Sequence, residues 1–91
     1  MTGQLENRVA IITGSGEGIG RGIANAFVKQ GAKVVVAEIN TELGEKTAEE
    51  LGENAVFVQT DVAQKADNER MVEAAIDQWG TLDILVNNAW G

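Results

Sequence analysis

The chain has 91 residues, 44% hydrophobic and 23% charged, with 14 acidic against 7 basic side chains and a net charge of −7. That balance argues against nucleic acid and anionic membrane surfaces, which need clustered Lys and Arg. The absence of Cys and His removes disulfides, thiolate chemistry, imidazole acid–base work and zinc sites of the usual kind.

This length supports one small domain, residues 1–91. It is a marginal one, because a chain this size buries roughly 60–65% of the surface its unfolded form exposes. No apolar run is long enough to span a membrane, and the first residues, MTGQLENR, lack the basic and apolar regions of a signal peptide. With no Cys, the composition is compatible with a reducing cytosol, and the expectation is a cytoplasmic chain.

Arg8 to Thr13 is a short apolar run closed by a glycine cluster, which reads as a buried strand. From Ile19 to Gln30, apolar Ile19, Ile23, Ala26 and Phe27 recur at helical spacing, and Gly31 follows as a stop. Lys33 to Ala37 is rich in Val and predicts a second buried strand.

Residues 41–51 place Leu43, Thr47 and Leu51 on one face of an amphipathic helix that Gly52 closes. Ala55 to Gln59 is a third strand. From about Gln64 to Trp79, the residues Met71, Val72, Ala75, Ile76 and Trp79 form the apolar stripe of a third helix, ended by Gly80. Leu82 to Val86 is a fourth strand. This β-α-β-α-β-α-β alternation, with no proline or linker, predicts a parallel sheet covered by helices on both faces, each crossover right-handed.

The cluster TGSGEGIG, residues 13–20, lies between the first strand and the first helix. Glycines there permit positive φ, let the backbone approach a pyrophosphate and let the helix pack close, while the helix N-terminus offers free N–H groups to phosphates. A strict GxGxxG is absent, because Arg21 stands at its last glycine position, and no Gly-Lys-Ser/Thr follows to make a P-loop. The spacing that fits is Gly14-xxx-Gly18-x-Gly20. Alone, it also has a lesser reading as a glycine-rich turn with no ligand.

Three further features stand at successive strand ends. Glu38 ends the second strand about 20 residues past the cluster, where a carboxylate can accept from both hydroxyls of an adenosine ribose. It would also be at home as a solvated strand-end charge. Asp61-Val62 follows the third strand, where Asp61 can accept from an adenine amino group and Val62 can pack on the ring, although Asp61 alone would suit a cap or turn. Asn87-Asn88 closes the fourth strand, where amides can bridge strands or reach a ribose.

On these residues the chain resembles the short-chain dehydrogenase/reductase family. The resemblance rests on Thr13-Gly14-xxx-Gly18-Ile19-Gly20, on Asp61-Val62 and on Leu82-Asp83-Ile84-Leu85-Val86-Asn87-Asn88-Ala89, and it runs from about Gln4 to the end. It implies the first, N-terminal half of a Rossmann-like, doubly wound three-layer α/β fold, with about four parallel strands in the order 3-2-1-4. It also implies that Gly14, Ser15, Gly18, Ile19 and Gly20 line a pyrophosphate, Glu38 holds the adenosine ribose, and Asp61 and Val62 meet the adenine. Asn88 and Ala89 would contact the cofactor ribose, with Asn87 tying the central strands.

The implied cofactor is NAD(H) rather than NADP(H). A carboxylate at 38 repels a 2′-phosphate, and Glu17 adds negative charge where an Arg would serve NADP. Arg21 and Lys33 are the only close bases, with ready roles as helix-surface and strand-entry charges. Two departures stand out: Trp90 takes the glycine position of the family's Asn-Asn-Ala-Gly, which would reshape the nicotinamide pocket, and Ala63 replaces a Thr or Ser that would cap a helix.

The family transfers hydride between a nicotinamide and an alcohol or carbonyl, using a serine, a tyrosine and a lysine four residues after it. Those lie beyond the fourth strand, and this chain has no Tyr anywhere. The expectation is a truncated unit with no catalytic residue and no metal site, binding NAD without turnover in isolation. One alternative is a natural nucleotide-binding module that works as a homo-oligomer through the exposed sheet edge or an apolar helix face. The other is an S-adenosylmethionine-dependent methyltransferase-like domain, disfavoured by the glycine and Asn-Asn-Ala elements.

Overall fold

The structure is a computed structural model and describes residues 3–89. Strand and helix alternate as β1 (Val9–Thr13), α1 (Gly18–Lys29), β2 (Lys33–Glu38), α2 (Thr41–Leu51), a single 3-10 turn (Gly52–Asn54), β3 (Ala55–Gln59), α3 (Lys65–Trp79) and β4 (Ile84–Val86). The four strands make one parallel sheet in the order β3-β2-β1-β4. Order and layering agree with the sequence expectation.

The register sorts side chains between two faces, because neighbouring residues along a strand point oppositely. Ile11 pairs with Val35 and Leu85, and Val35 with Val56, so these four share a face. There Val9, Ile11, Val35 and Ala37 pack with Met71 and Ala75 of α3. The next row, Val86, Ile12, Val36 and Phe57, lies on the opposite face. Its core joins Ile12, Val34 and Val36 to Ala24, Phe27 and Val28 of α1 and to Ala48 and Leu51 of α2. Both central strands are buried throughout apart from half-buried Lys33, which is why they read as unbroken apolar runs rather than alternating ones.

β4 is shorter than the expected Leu82–Val86 because its pairing with β1 begins at Ala10–Ile84. Asp83 takes over one residue earlier. Its Oδ2 accepts from the Val9 N–H (2.9 Å), and its own N–H donates to the Val9 carbonyl (2.9 Å). Leu82 packs on the α3 side of the core.

Two helical stripes need correction. In α1 the inward residues are Gly20, Ile23, Ala24, Phe27 and Val28, whereas Ala26 is exposed and Ile19 is 77% exposed. Ile19 sits in the first turn, before the helix reaches the sheet. In α3 Met71 and Ala75 are buried, while Val72 and Ile76, each one residue further round the helix, are exposed. In α2, Thr47 is buried as expected but Leu43 only partly so, and the close contact to the sheet comes from Gly44 against the Phe57 ring. No described helix is long and apolar enough to cross a membrane.

Candidate functional site

The carboxyl ends of all four strands meet at one edge of the sheet, and the chain turns away from that edge at each of them. After β1, Gly14 (φ +65°) and Gly18 (φ +61°) take left-handed backbone conformations that a side chain would strain. A Cβ on Gly14 would press on Asn88 Nδ2 (3.2 Å) and the Ala89 backbone. A Cβ on Gly20 would collide with the Gly14 carbonyl and with Asn88 Nδ2. The first turn of α1 therefore lies directly on the turn before it. Gly18 differs, because nothing lies within 4 Å of where its Cβ would be.

α1 begins after Glu17, whose side chain makes no capping hydrogen bond. The first-turn N–H groups and the positive end of the helix dipole thus carry no side-chain acceptor, a donor set suited to a phosphate. Ser15 is fully buried and its hydroxyl donates to the Ile12 carbonyl (2.7 Å), so its side chain faces inward.

Thr13 joins β1 to β4. Its hydroxyl donates to the Val86 carbonyl (3.3 Å) and accepts from the N–H groups of Asn88 (2.9 Å) and Ala89 (3.1 Å). Asn88 Nδ2 donates to the Gly14 carbonyl (3.4 Å). The tie expected of Asn87 is therefore made by Thr13 and Asn88, because Asn87 is exposed beyond the last ladder pair.

Glu38 is 7% exposed at the end of β2. Its Oε1 accepts from the Gly16 N–H (2.9 Å) and its Oε2 from the Asn40 N–H (3.0 Å). Two N–H donors hold the carboxylate still, and a carboxylate offers about four lone-pair sites, so acceptor capacity is left over for hydroxyl groups. After β3, Asp61 Oδ1 accepts from the Ala63 N–H (3.0 Å), and the Asp61 N–H donates to Asp67 Oδ2 (2.9 Å). α3 starts after Gln64, which makes no side-chain cap, so the cap position is Gln64 and not the expected Ala63.

An open cleft lies between these strand ends, lined by Gly14, Glu38, Ile39, Thr60, Asp61, Val62 and Ala89. The fold thus gathers Gly14, Glu38, Asp61, Val62 and Ala89 around one space. Gly18 and Ile19 stand exposed at the start of α1, while Gly20 and Asn88 pack behind Gly14. Trp90 lies outside the described residues.

Ile39 and Thr60 are cleft residues that the motif reading passed over. The signal for Ile39 is an isoleucine directly after a strand-end acid, left 59% exposed where a core residue would be buried. Thr60 carries no such signal, since its hydroxyl donates locally to the Val58 carbonyl (2.9 Å). Among the described residues no group of three or more His, Cys, Asp or Glu could hold a metal ion.

Sorbitol dehydrogenase of Cereibacter sphaeroides is 46% identical over 86 residues, covering 94% of this chain and 34% of that protein. The structure superposes on 3-ketoacyl-(acyl-carrier-protein) reductase from Brucella melitensis, solved with NADH, with a TM-score of 0.88 and 44% identity over 90% of this chain and 34% of that one. Hydroxysteroid dehydrogenase from Escherichia coli gives a TM-score of 0.89 and 38% identity, covering 96% and 38%. The chain spans about a third of the length of the curated relatives it matches. The family model for short chain dehydrogenase matches residues 8–90, and the chain belongs to that family.

Proposed function

We propose that the chain binds NAD(H) and forms the dinucleotide-binding part of an oxidoreductase acting between alcohol and carbonyl groups. The observation that carries this reading is Glu38, a carboxylate fixed by two backbone N–H groups at the mouth of the strand-end cleft. Its remaining lone pairs suit the adenosine ribose hydroxyls. Asp61, Val62 and Ile39 would border the adenine, the uncapped start of α1 with Gly18 and Ile19 would meet the pyrophosphate, and Asn88 and Ala89 would meet the nicotinamide ribose. When bound, the dinucleotide supplies the hydride acceptor or donor. The relative solved with NADH supports the cofactor class.

NAD(H) is preferred over NADP(H) on charge. A 2′-phosphate would stand against Glu38, and neither nearby base is free to offset it. Arg21 is paired with Glu50 of α2, and Lys33 begins β2, at the other end of the strand from Glu38. Having no Tyr, the 91-residue chain by itself would bind cofactor without turning over substrate.

The same reading extends to self-association. β4 is an edge strand, and Leu85 is 48% exposed on the face that α3 covers elsewhere. A second copy pairing at this edge would satisfy its free backbone groups.

The test is titration of the purified chain with NADH, followed by nicotinamide fluorescence and by quenching of Trp emission. The reading expects saturable binding displaced by ADP-ribose. Binding of neither NADH nor ADP-ribose by a chain that unfolds cooperatively would contradict it.

A further inference from the structure

The backbone of Gly16, in the middle of the turn between β1 and α1, is held from outside the turn on both sides. Its N–H donates to Glu38 Oε1 at 2.9 Å, and its carbonyl accepts from the Thr47 hydroxyl at 3.0 Å. Thr47 belongs to α2 and is 1% exposed, and Gly16 is itself buried. A Cβ on Gly16 would lie 2.6 Å from Glu38 Cγ, so the carboxylate arm fills the space beside this glycine.

The position of α2 makes the contact possible. Gly44 lets the helix settle against the Phe57 ring of β3. Thr47, nearly one turn later on the same buried face, then reaches the Gly16 carbonyl. Arg21 in the second turn of α1 pairs with Glu50, one turn beyond Thr47. The turn that faces the ligand is thus shaped by a helix that contributes nothing to the cleft lining.

We propose that Thr47 is a positioning residue for dinucleotide binding: with Glu38 it locks the two peptide units that flank the Gly16 Cα, so that α2 sets the conformation of the pyrophosphate-facing turn. This rests on the NAD(H) reading. The coupling is reciprocal, because a ligand that needs the locked turn must also stabilise the α2 contact. A hydroxyl is required, since a valine of the same shape would leave the buried Gly16 carbonyl without a donor.

The experiment compares the unmodified chain with Thr47→Val and Thr47→Ser. Two readouts are used: affinity for NADH and for adenosine, and amide hydrogen exchange at Gly16 without ligand. The expectation is about tenfold weaker NADH binding in Thr47→Val, recovery in Thr47→Ser, and a clearly smaller loss for adenosine, which meets the Gly16 turn only through Glu38. In the ligand-free Thr47→Val chain the Gly16 amide should exchange about tenfold faster while the β1 and β2 amides stay protected. Equal NADH affinity in the unmodified and Thr47→Val chains would overturn the proposal. So would an adenosine loss as large as the NADH loss, which marks general destabilisation, or an unchanged Gly16 exchange rate. If the unmodified chain bound no NADH, the NAD(H) reading would fall, and the exchange rate would still decide whether Thr47 holds the turn.

Discussion

Gly20 and Gly22 lie two positions apart in α1, yet alanine should have opposite effects at them. At Gly20 a Cβ meets the Gly14 carbonyl and Asn88 Nδ2, so Gly20→Ala should destabilise by about 1–3 kcal/mol as the helix start is pushed off the turn. At Gly22 nothing lies within 4 Å and the residue is exposed, so Gly22→Ala should stabilise by about 0.5–1 kcal/mol. Urea midpoints of the two variants would check both signs. Thr13→Val should cost about 1–3 kcal/mol by the same assay, because the N–H groups of Asn88 and Ala89 lose their shared acceptor. Glu38 and Asp61 could be singled out from sequence because a carboxylate at a strand end is chemically distinctive. Thr13 could not be assigned its role, which depends on hydrogen-bond partners 75 and 76 residues away. Nor could Thr47, whose place on the inner face of α2 was legible but whose hydroxyl meets a carbonyl 31 residues away.

The strands were the most legible elements, since β1, β2 and β3 begin or end within one residue of their expected limits. Buried parallel strands write themselves as continuous Val and Ile runs closed by turns. Helix faces were less legible. α3 carries an apolar stripe wider than the surface it covers, and periodicity alone does not say which edge of the stripe meets the sheet. Met71 faces the core and Ile76 does not. Thermal unfolding should separate them: Met71→Ala should cost about 2–5 kcal/mol, and Ile76→Gln should change stability by no more than about 0.5 kcal/mol. A large loss at Ile76, independent of protein concentration, would mean that α3 is rotated from the orientation described.

The molecule as a whole is a four-stranded parallel sheet whose two faces are covered by helices and whose strand ends converge on one cleft. Composition alone excluded cysteine, imidazole and basic-surface chemistry, and the β-α alternation gave the layering. The cleft itself was only partly legible, because it forms from four loops whose spacing in space no local motif specifies. Two of its described lining residues, Glu38 and Asp61, are acidic and none is basic, so discrimination between the two dinucleotides should be electrostatic. If the cofactor binds the folded state alone, NADH at a hundred times its Kd should add about 2.7 kcal/mol to unfolding stability. The most direct test of the central claim, that the Glu38 carboxylate defines an NAD(H) site, is the ratio of NADPH to NADH dissociation constants in the unmodified chain and in Glu38→Ala. The account predicts a ratio of at least about tenfold in favour of NADH, collapsing toward unity when the carboxylate is removed. Tighter binding of NADPH by the unmodified chain, or a preference for NADH that survives in Glu38→Ala, would contradict it.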